Sequence, residues 1–455
     1  MIQRTLSLIL PALAFLLLSG TAFAQAPNVP TSFVQTPAAP TREPPVAPAK
    51  VTGDYKGDYQ VLQAAADKPG QIDTKDYGSA FYVPSTPETV TWGYLPNRDS
   101  KPVLSVPSGS VVVFDTVSHE GILEDQGRNP AKYFGGYGIT EQHVLKDAAA
   151  IAASKIEHDF VKAGPHVVTG PIAIEGAEPG DVLMVETLKL QPRVPYGVIS
   201  NRHGKGALVG EFPETDKPDP AASAEKPELY RNVSIFTPIR KIHNQWYGVL
   251  HNRNSEEIWF PVHPFMGIMG IAPNSSAQIH SVPPDAHGGN LDVAKLGVGS
   301  KLYLPIQVKG ALFYVGDPHN SQGDGEVALT ALEQPLRGTF RVTVLKPGDL
   351  RIPATSALTK PFGETESFWI PIGLHEDLDE AMKDAVRQAV KFLNEKLNVD
   401  RATALAYMSA ATDYAVSQVV DRTKGVHALI RKNDFAETSA VRIPERTAEE
   451  VEKTK

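Results

Sequence analysis

Leu302-Tyr303-Leu304-Pro305-Ile306-Gln307-Val308 and Ala311-Leu312-Phe313-Tyr314-Val315 stand on either side of Lys309-Gly310. Short apolar runs of this kind, rich in aromatic and branched residues and bounded by glycine, read as strands. The spacing predicts a strand pair. Further out, Ser110 to Val117 carries Val111-Val112-Val113-Phe114, and Phe340 to Leu345 is closed by Pro347-Gly348-Asp349. Ile172-Ala173-Ile174 and Val182-Leu183-Met184-Val185 flank Gly176-Ala177-Glu178-Pro179-Gly180-Asp181. Pro179-Gly180 suits the centre of a type II turn, which predicts a hairpin. Helical spacing comes mainly late, at Leu378, Met382, Val386, Val390, Leu393 and Leu397, with Asp377 or Asp379 as the cap. Asp400 would cap a second helix carrying Leu405, Met408, Ala415 and Val419, and a short helix is expected within Val144 to Ile156. The pattern predicts a mainly β fold of sandwich or barrel-like layers with α+β character. Its helices are concentrated in the C-terminal third.

Composition narrows the classes of function. The 36 Gly and 38 Pro among 455 residues favour turns over long helices. A 42% hydrophobic and 21% charged chain can build a large core unaided. A net charge of -8 without a long Lys/Arg run argues against nucleic acid as the main partner. There is no cysteine, so a thiol nucleophile, a Cys-zinc site and an iron–sulfur cluster are excluded. Any transition-metal site must use His, Asp and Glu.

Residues 1–24 read as a signal peptide: Arg4, an apolar run from Leu6 through Leu18, then Ala22-Phe23-Ala24, with cleavage before Gln25. The run is short for a membrane span, so a periplasmic or secreted product without a stable membrane anchor is expected. An uncleaved anchor is the alternative. Residues 25–75 read as a Pro/Ala-rich linker and a poorly defined segment, 76–440 as the folded catalytic body and 441–455 as a charged tail. Within the body, a β-rich part spans 76–245 and a β-rich part with helices spans 246–440.

Titratable residues gather at four strand ends or Gly/Pro-marked loops. These are Asp115 to Gly121 with His119 and Glu120, Gly164-Pro165-His166, Asp285 to Asp292 with His287 and Asn290, and Gly316 to Glu326. The last presents Asp317, His319, Gln322, Asp324 and Glu326 among three glycines, directly after an apolar strand. Carboxylate and imidazole together can hold a cation or move protons. Such a loop can also be a plain solvated turn.

Taken together, these segments resemble the acetamidase/formamidase family. His263-Pro264-Phe265-Met266-Gly267-Ile268-Met269-Gly270-Ile271-Ala272-Pro273 is similar to its His-Pro-x-x-Gly-x-x-Gly-x-Ala-Pro segment. His287-Gly288-Gly289-Asn290-Leu291-Asp292 is similar to its Gly-Gly-Asn-x-Asp segment, and Leu304 to Glu326 to its longest shared block. Thr169-Gly170-Pro171 with Glu175 to Asp181, and Ser417-Gln418-Val419-Val420 with Gly425-Val426, extend the likeness from Pro107 to Phe435. Ser118-His119-Glu120, where many relatives carry an Asp, departs from the pattern, as do the segments Thr215 to Lys226 and Gln245 to Glu257. The resemblance implies a homo-oligomer that hydrolyses a small amide such as formamide or acetamide to carboxylate and ammonia.

Without a thiol or a Gly-x-Ser-x-Gly elbow, a metal-activated water is the expected attacking group. Residue type and clustering give His119, His166, His287, His319 and Asp324 as metal ligands. Glu326, Asp324 and His287 are the expected catalytic residues; His263, Gln322 and Asn290 are expected to bind substrate. Zinc is the first choice of divalent metal and calcium the second. If the segment stays extended, Asp324 and Glu326 point to one side. Two rival readings remain: a hydrolase of a lactam, carbamate or ester, and a non-catalytic periplasmic small-molecule binding protein.

Overall fold

The computed structural model describes residues 61–243 and 245–435. The expected signal peptide, most of the linker and the tail at 441–455 lie outside the described residues. The chain folds as expected into a mainly β structure, with two large sheets supplemented by four α-helices among the described residues. Central to the ten-stranded sheet are Val111–Asp115, Leu336–Leu345, Val182–Pro192 and Lys301–Pro305. The eleven-stranded sheet runs through Tyr196–Asn201, Leu332–Glu333, Phe313–Ser321, Phe265–Ile271 and Gly288–Asn290, with Val167–Ile174 also against Phe313–Ser321. Phe114 and Phe340 from the first sheet meet Phe313 from the second edge-on, with ring centroids 5.8 and 6.4 Å from it. These rings join Leu183, Val185, Leu304, Met269 and Val315 in the main core. Both sheets draw strands from the 76–245 and 246–440 parts.

Two expected pairings are corrected. The Pro179-Gly180 turn forms, with Gly180 at φ 95° and the Asp181 N–H donating to the Glu178 carbonyl at 3.1 Å. No hairpin results, because Val167–Ile174 belongs to one sheet and Val182–Pro192 to the other. The runs around Lys309-Gly310 divide in the same way: Leu302 pairs with Val185, whereas Phe313 pairs with Ile172. A tight turn reverses the chain, but burial on both faces lets the outgoing run enter the opposite layer.

The folded body also begins earlier than its expected start at residue 76. The Leu62 N–H donates to the Arg193 carbonyl at 2.8 Å, and the fully buried Arg193 returns a bond to the Leu62 carbonyl at 3.0 Å. Gly70–Thr74 then pairs with Gly78–Val83.

The helices follow their caps. Asp377 accepts from the Glu380 N–H and opens Leu378–Leu397, and Asp400 accepts from Ala402 and Thr403 and opens Arg401–Ala411. Lys146–Ala152 is the expected short helix. The second late helix stops sooner than expected: Ala415 lies in the strand Asp413–Gln418, which pairs with Lys424–Arg431. No helix among the described residues is long and apolar enough to cross a membrane.

Candidate metal centre

The loop expected after Val315 is largely a strand. Phe313–Ser321 continues because Phe265–Ile271 offers it a partner as far as the Phe265↔His319 pair. Asp317 and His319 thus lie two apart on a buried strand. His319 is cross-strand partner to Glu333, and its Nε2 lies 2.9 Å from Glu333 Oε1 and 3.1 Å from Asp317 Oδ2. The other residues arrive from separate segments. His119 follows Val111–Asp115, His166 precedes Val167–Ile174, Asp292 follows Gly288–Asn290, and Asp421 follows Asp413–Gln418.

Four overlapping groups form there: His119, His166 and Asp317; Asp292, Asp317 and His319; His319, Glu326 and Glu333; Asp292, Glu326 and Asp421. Within each group the potential ligand atoms lie within 4.8 Å of one another. His119, His166, Asp317, Glu326, Glu333 and Asp421 border a cavity of about 360 Å³.

Each imidazole is held from behind and turned inward. Glu120 Oε1 lies 3.2 Å from His119 Nε2, while His119 Nδ1 faces Asp317 Oδ1 at 3.7 Å. Ser281 Oγ is 2.9 Å from His166 Nδ1, and His166 Nε2 faces Asp317 Oδ2 at 3.6 Å. Gln322 Oε1 is 3.1 Å from His319 Nδ1, on the side away from Asp317 and Glu333. Arg202 in turn fixes Glu120, donating to its Oε1 at 2.9 Å and to Asp125 at 2.7 Å. Metal-binding histidines typically have such outer partners, which set the tautomer and ring orientation.

The charge pattern is that of carboxylates crowded away from water. Burial drives Asp292 up to about 6 and Glu333 up to about 7, and neighbouring Asp317 adds to both. Burial and then Asp292 raise Glu326 and Asp421 well above the carboxyl range. Burial would raise Asp317 as well, but His166 and His319 beside it hold it below that range. Burial pushes His166 down to about 3. His319 is raised against its burial by Glu333 and Asp317.

Three observations are consistent with a set that could hold a metal ion. Among the described residues, both carboxylate oxygens of Asp292 and of Glu333, Asp317 Oδ1 and Glu326 Oε2 are buried without a hydrogen-bond partner. Such atoms are costly unless something pairs with them. Gly267 leaves the room they use: a Cβ there would strike Asp292 Oδ1 and come within 2.8 Å of Asp317 Oδ2 and His319 Cε1. Asp292, Asp317 and Glu326 also hold the left-handed backbone region, at φ 49, 48 and 48°. Strained positions of this kind concentrate at functional sites.

The expected site residues therefore divide. His119, His166, His319 and Glu326 converge, Asn290 borders the cavity, and Gln322 orients His319 from behind. Asp324, His287 and His263 fall outside. Gly325 at φ 108° and Glu326 at φ 48° break the extended run, so Glu326 turns inward. Asp324 stays exposed, its Oδ2 4.0 Å from Lys295 Nζ. Gly288 and Gly289, at φ 81 and 83°, turn the chain after His287, so Asn290 and Asp292 reach the site instead. His263 is exposed, ahead of its strand. Four further members of these groups, Asp292, Asp317, Glu333 and Asp421, are not among the expected ligands. The first two stood inside the quoted motifs and Asp421 just beyond Val420, while Glu333 carried no local signal.

Two packed sheets with a buried His/carboxylate centre drawn from their strands and adjoining loops define a mainly β protein built around a polar site. The model of the acetamidase/formamidase family matches residues 149–280 and 274–431, and the chain belongs to that family. In structure it is similar to an acetamidase of Bacillus halodurans, with a TM-score of 0.59 at 25% identity over 79% of this chain and 100% of that one. In sequence it is similar to a formamidase of Methylophilus methylotrophus, 27% identical over 40% of this chain and 52% of the relative. The same holds for an acetamidase of Mycolicibacterium smegmatis, 28% identical over 36% and 49%. The chain spans about half the length of the curated relatives it matches.

Proposed function

We propose that this protein is an exported amidohydrolase that cleaves the C–N bond of a small non-peptide amide, giving a carboxylate and ammonia. The arrangement that carries the reading is the set of three inward-turned imidazoles, each backed by an outer partner, around unpaired buried carboxylates. His119, His166 and Asp317 would hold a divalent ion, zinc before calcium, with His319, Glu333 and Asp292 adjoining. A bound ion would supply Lewis acidity and a water of lowered pKa.

The protein's own groups account for the rest. Glu326, buried at the cavity wall, in its ionised form takes the proton from the attacking water and returns it to the leaving nitrogen. Asn290 offers its amide to the substrate. The Glu333–His319 pair holds His319 in place. Export through residues 1–24 and a homo-oligomeric state are part of the same proposal.

The test is ammonia release from formamide and acetamide by purified protein, with elemental analysis of the same sample. About one divalent ion per chain and turnover that disappears on chelation are expected. Ammonia release at full rate from ion-free protein would overturn the metal role, and no release from any small amide would overturn the amidase reading.

A further inference from the structure

The cavity is larger and differently charged than a formamide or acetamide requires. Its volume of about 360 Å³ lies within the range of roughly 300–1,000 Å³ that suits ligands of many heavy atoms. Its floor is the His/carboxylate centre, and Phe160, Val161 and Val209 give it apolar surface. Val161 and Val209 stay 84 and 60% exposed, which places them at the mouth.

Lys205 and Arg422 also line this cavity, and both reach solvent. Every other cation at the centre is matched: Arg202 pairs with Glu120 and Asp125, and His319 with Glu333 and Asp317. Neither Lys205 nor Arg422 has a carboxylate within ion-pair distance among the described residues. Burial, then Arg202 and Arg422, depress the Lys205 ammonium against the pull of Asp125, and burial, then Arg422 and Lys205, depress His280. Two cations that repel one another across a cavity mouth gain most from an anion placed between them. Arg and Lys are the residues that recognise a carboxylate.

We propose that the substrate is an amide bearing a carboxylate at the far end of a short apolar spacer. Its amide group meets the His/carboxylate floor, and its carboxylate is paired by Lys205 and Arg422. The proposal rests on the amidohydrolase reading and narrows it to one substrate class. The spacer would pass the apolar wall at Phe160.

The test compares the monoamides of succinic and glutaric acid with the corresponding neutral diamides, in the wild type and in a Lys205→Met/Arg422→Met variant. Neither position belongs to the catalytic set. The wild type should favour the monoamide acids by about tenfold or more in kcat/KM, the size expected for losing a charged hydrogen-bond partner. In the variant that preference should collapse through KM, with kcat on the diamides unchanged. Equal rates for both classes in the wild type, or a preference that survives in the variant, would overturn the proposal.

Calorimetry with glutarate and glutaramide separates this from the amidase reading. If no amide releases ammonia, yet glutarate binds the wild type more tightly and the variant loses the difference, the amidase reading fails and the anion subsite stands. Equal binding of the two ligands sinks the subsite whether or not ammonia appears.

Discussion

His319 and Glu333 face each other as direct cross-strand partners, with His319 Nε2 2.9 Å from Glu333 Oε1, both fully buried. The pair ties two strands together at the point where the ligand groups overlap. Replacing Glu333 by Gln keeps the shape and removes the charge that raises His319. We expect metal affinity to fall roughly 10- to 100-fold, the usual cost of losing an outer partner, with an unchanged circular dichroism spectrum. Competition with a metal chelator measures it, and wild-type affinity in E333Q would show that the pair does not serve the centre.

Gly267→Ala tests the cradle. A methyl group at this position displaces Asp292, Asp317 or His319. Overpacking of this sort costs about 1–3 kcal/mol, so the variant should still fold while losing most metal binding and turnover. A folded G267A protein with full metal content would contradict the cradle.

Glu326→Gln removes the proposed base while preserving its shape. Turnover should drop about a hundredfold or more, with KM and thermal stability close to wild type. If turnover is unchanged, the proton is handled elsewhere, and Glu333, raised to about 7, is the next carboxyl to replace.

Asp324→Asn is the contrasting control. Its side chain is solvent-exposed beside Lys295, so stability should move by less than about 0.5 kcal/mol and turnover should stay near wild type. A loss as deep as that of E326Q would restore Asp324 to the site.

Acid stability gives an independent check of burial. His287 is 5% exposed, and burial lowers it from 6.5 to about 4, with Asp285 opposing. From pH 6.5 down to about 4 the unfolded chain binds a proton that the folded chain refuses. This group therefore costs stability progressively across that window and contributes no further slope below it. The full cost is on the order of 3 kcal/mol. Urea titrations at pH 7 and 4.5 should show a smaller loss for His287→Asn than for the wild type. His427, lowered to about 4 by burial, keeps a residual slope in the variant.

Local chemistry was the legible part of this sequence. Strands with apolar runs, the caps at Asp377 and Asp400 and the Pro179-Gly180 turn were readable because each depends on neighbours a few residues away. Which sheet receives the strand after a turn was not, because Val182–Pro192 finds its partners at Lys301–Pro305 and Leu336–Leu345. For the same reason the polar run at Asp317 and His319 read as a loop: its strand character comes from Phe265–Ile271, some fifty residues earlier. His119, His166, His319 and Glu326 were found because they sit in motif-like clusters. Glu333 stands alone in sequence and becomes visible only through its cross-strand register. Alternation along an extended run places Asp324 beside Glu326, but the backbone turns at Gly325 and leaves Asp324 outside the cluster that Asp317 joins.

The distance in sequence between the ligand groups sets the order of assembly. His119 and Asp421 bracket most of the described chain, and of the four groups only His319, Glu326 and Glu333 come from one short segment. Chains ending before Asp421 lose only the group of Asp292, Glu326 and Asp421 and keep the other three. Contacts this remote in sequence slow folding, so an ion held by His119, His166 and Asp317 would be captured only after segments about two hundred residues apart have met. Selection among competing ions would then act on a finished cavity, where fit to the cage outweighs bare ligand affinity.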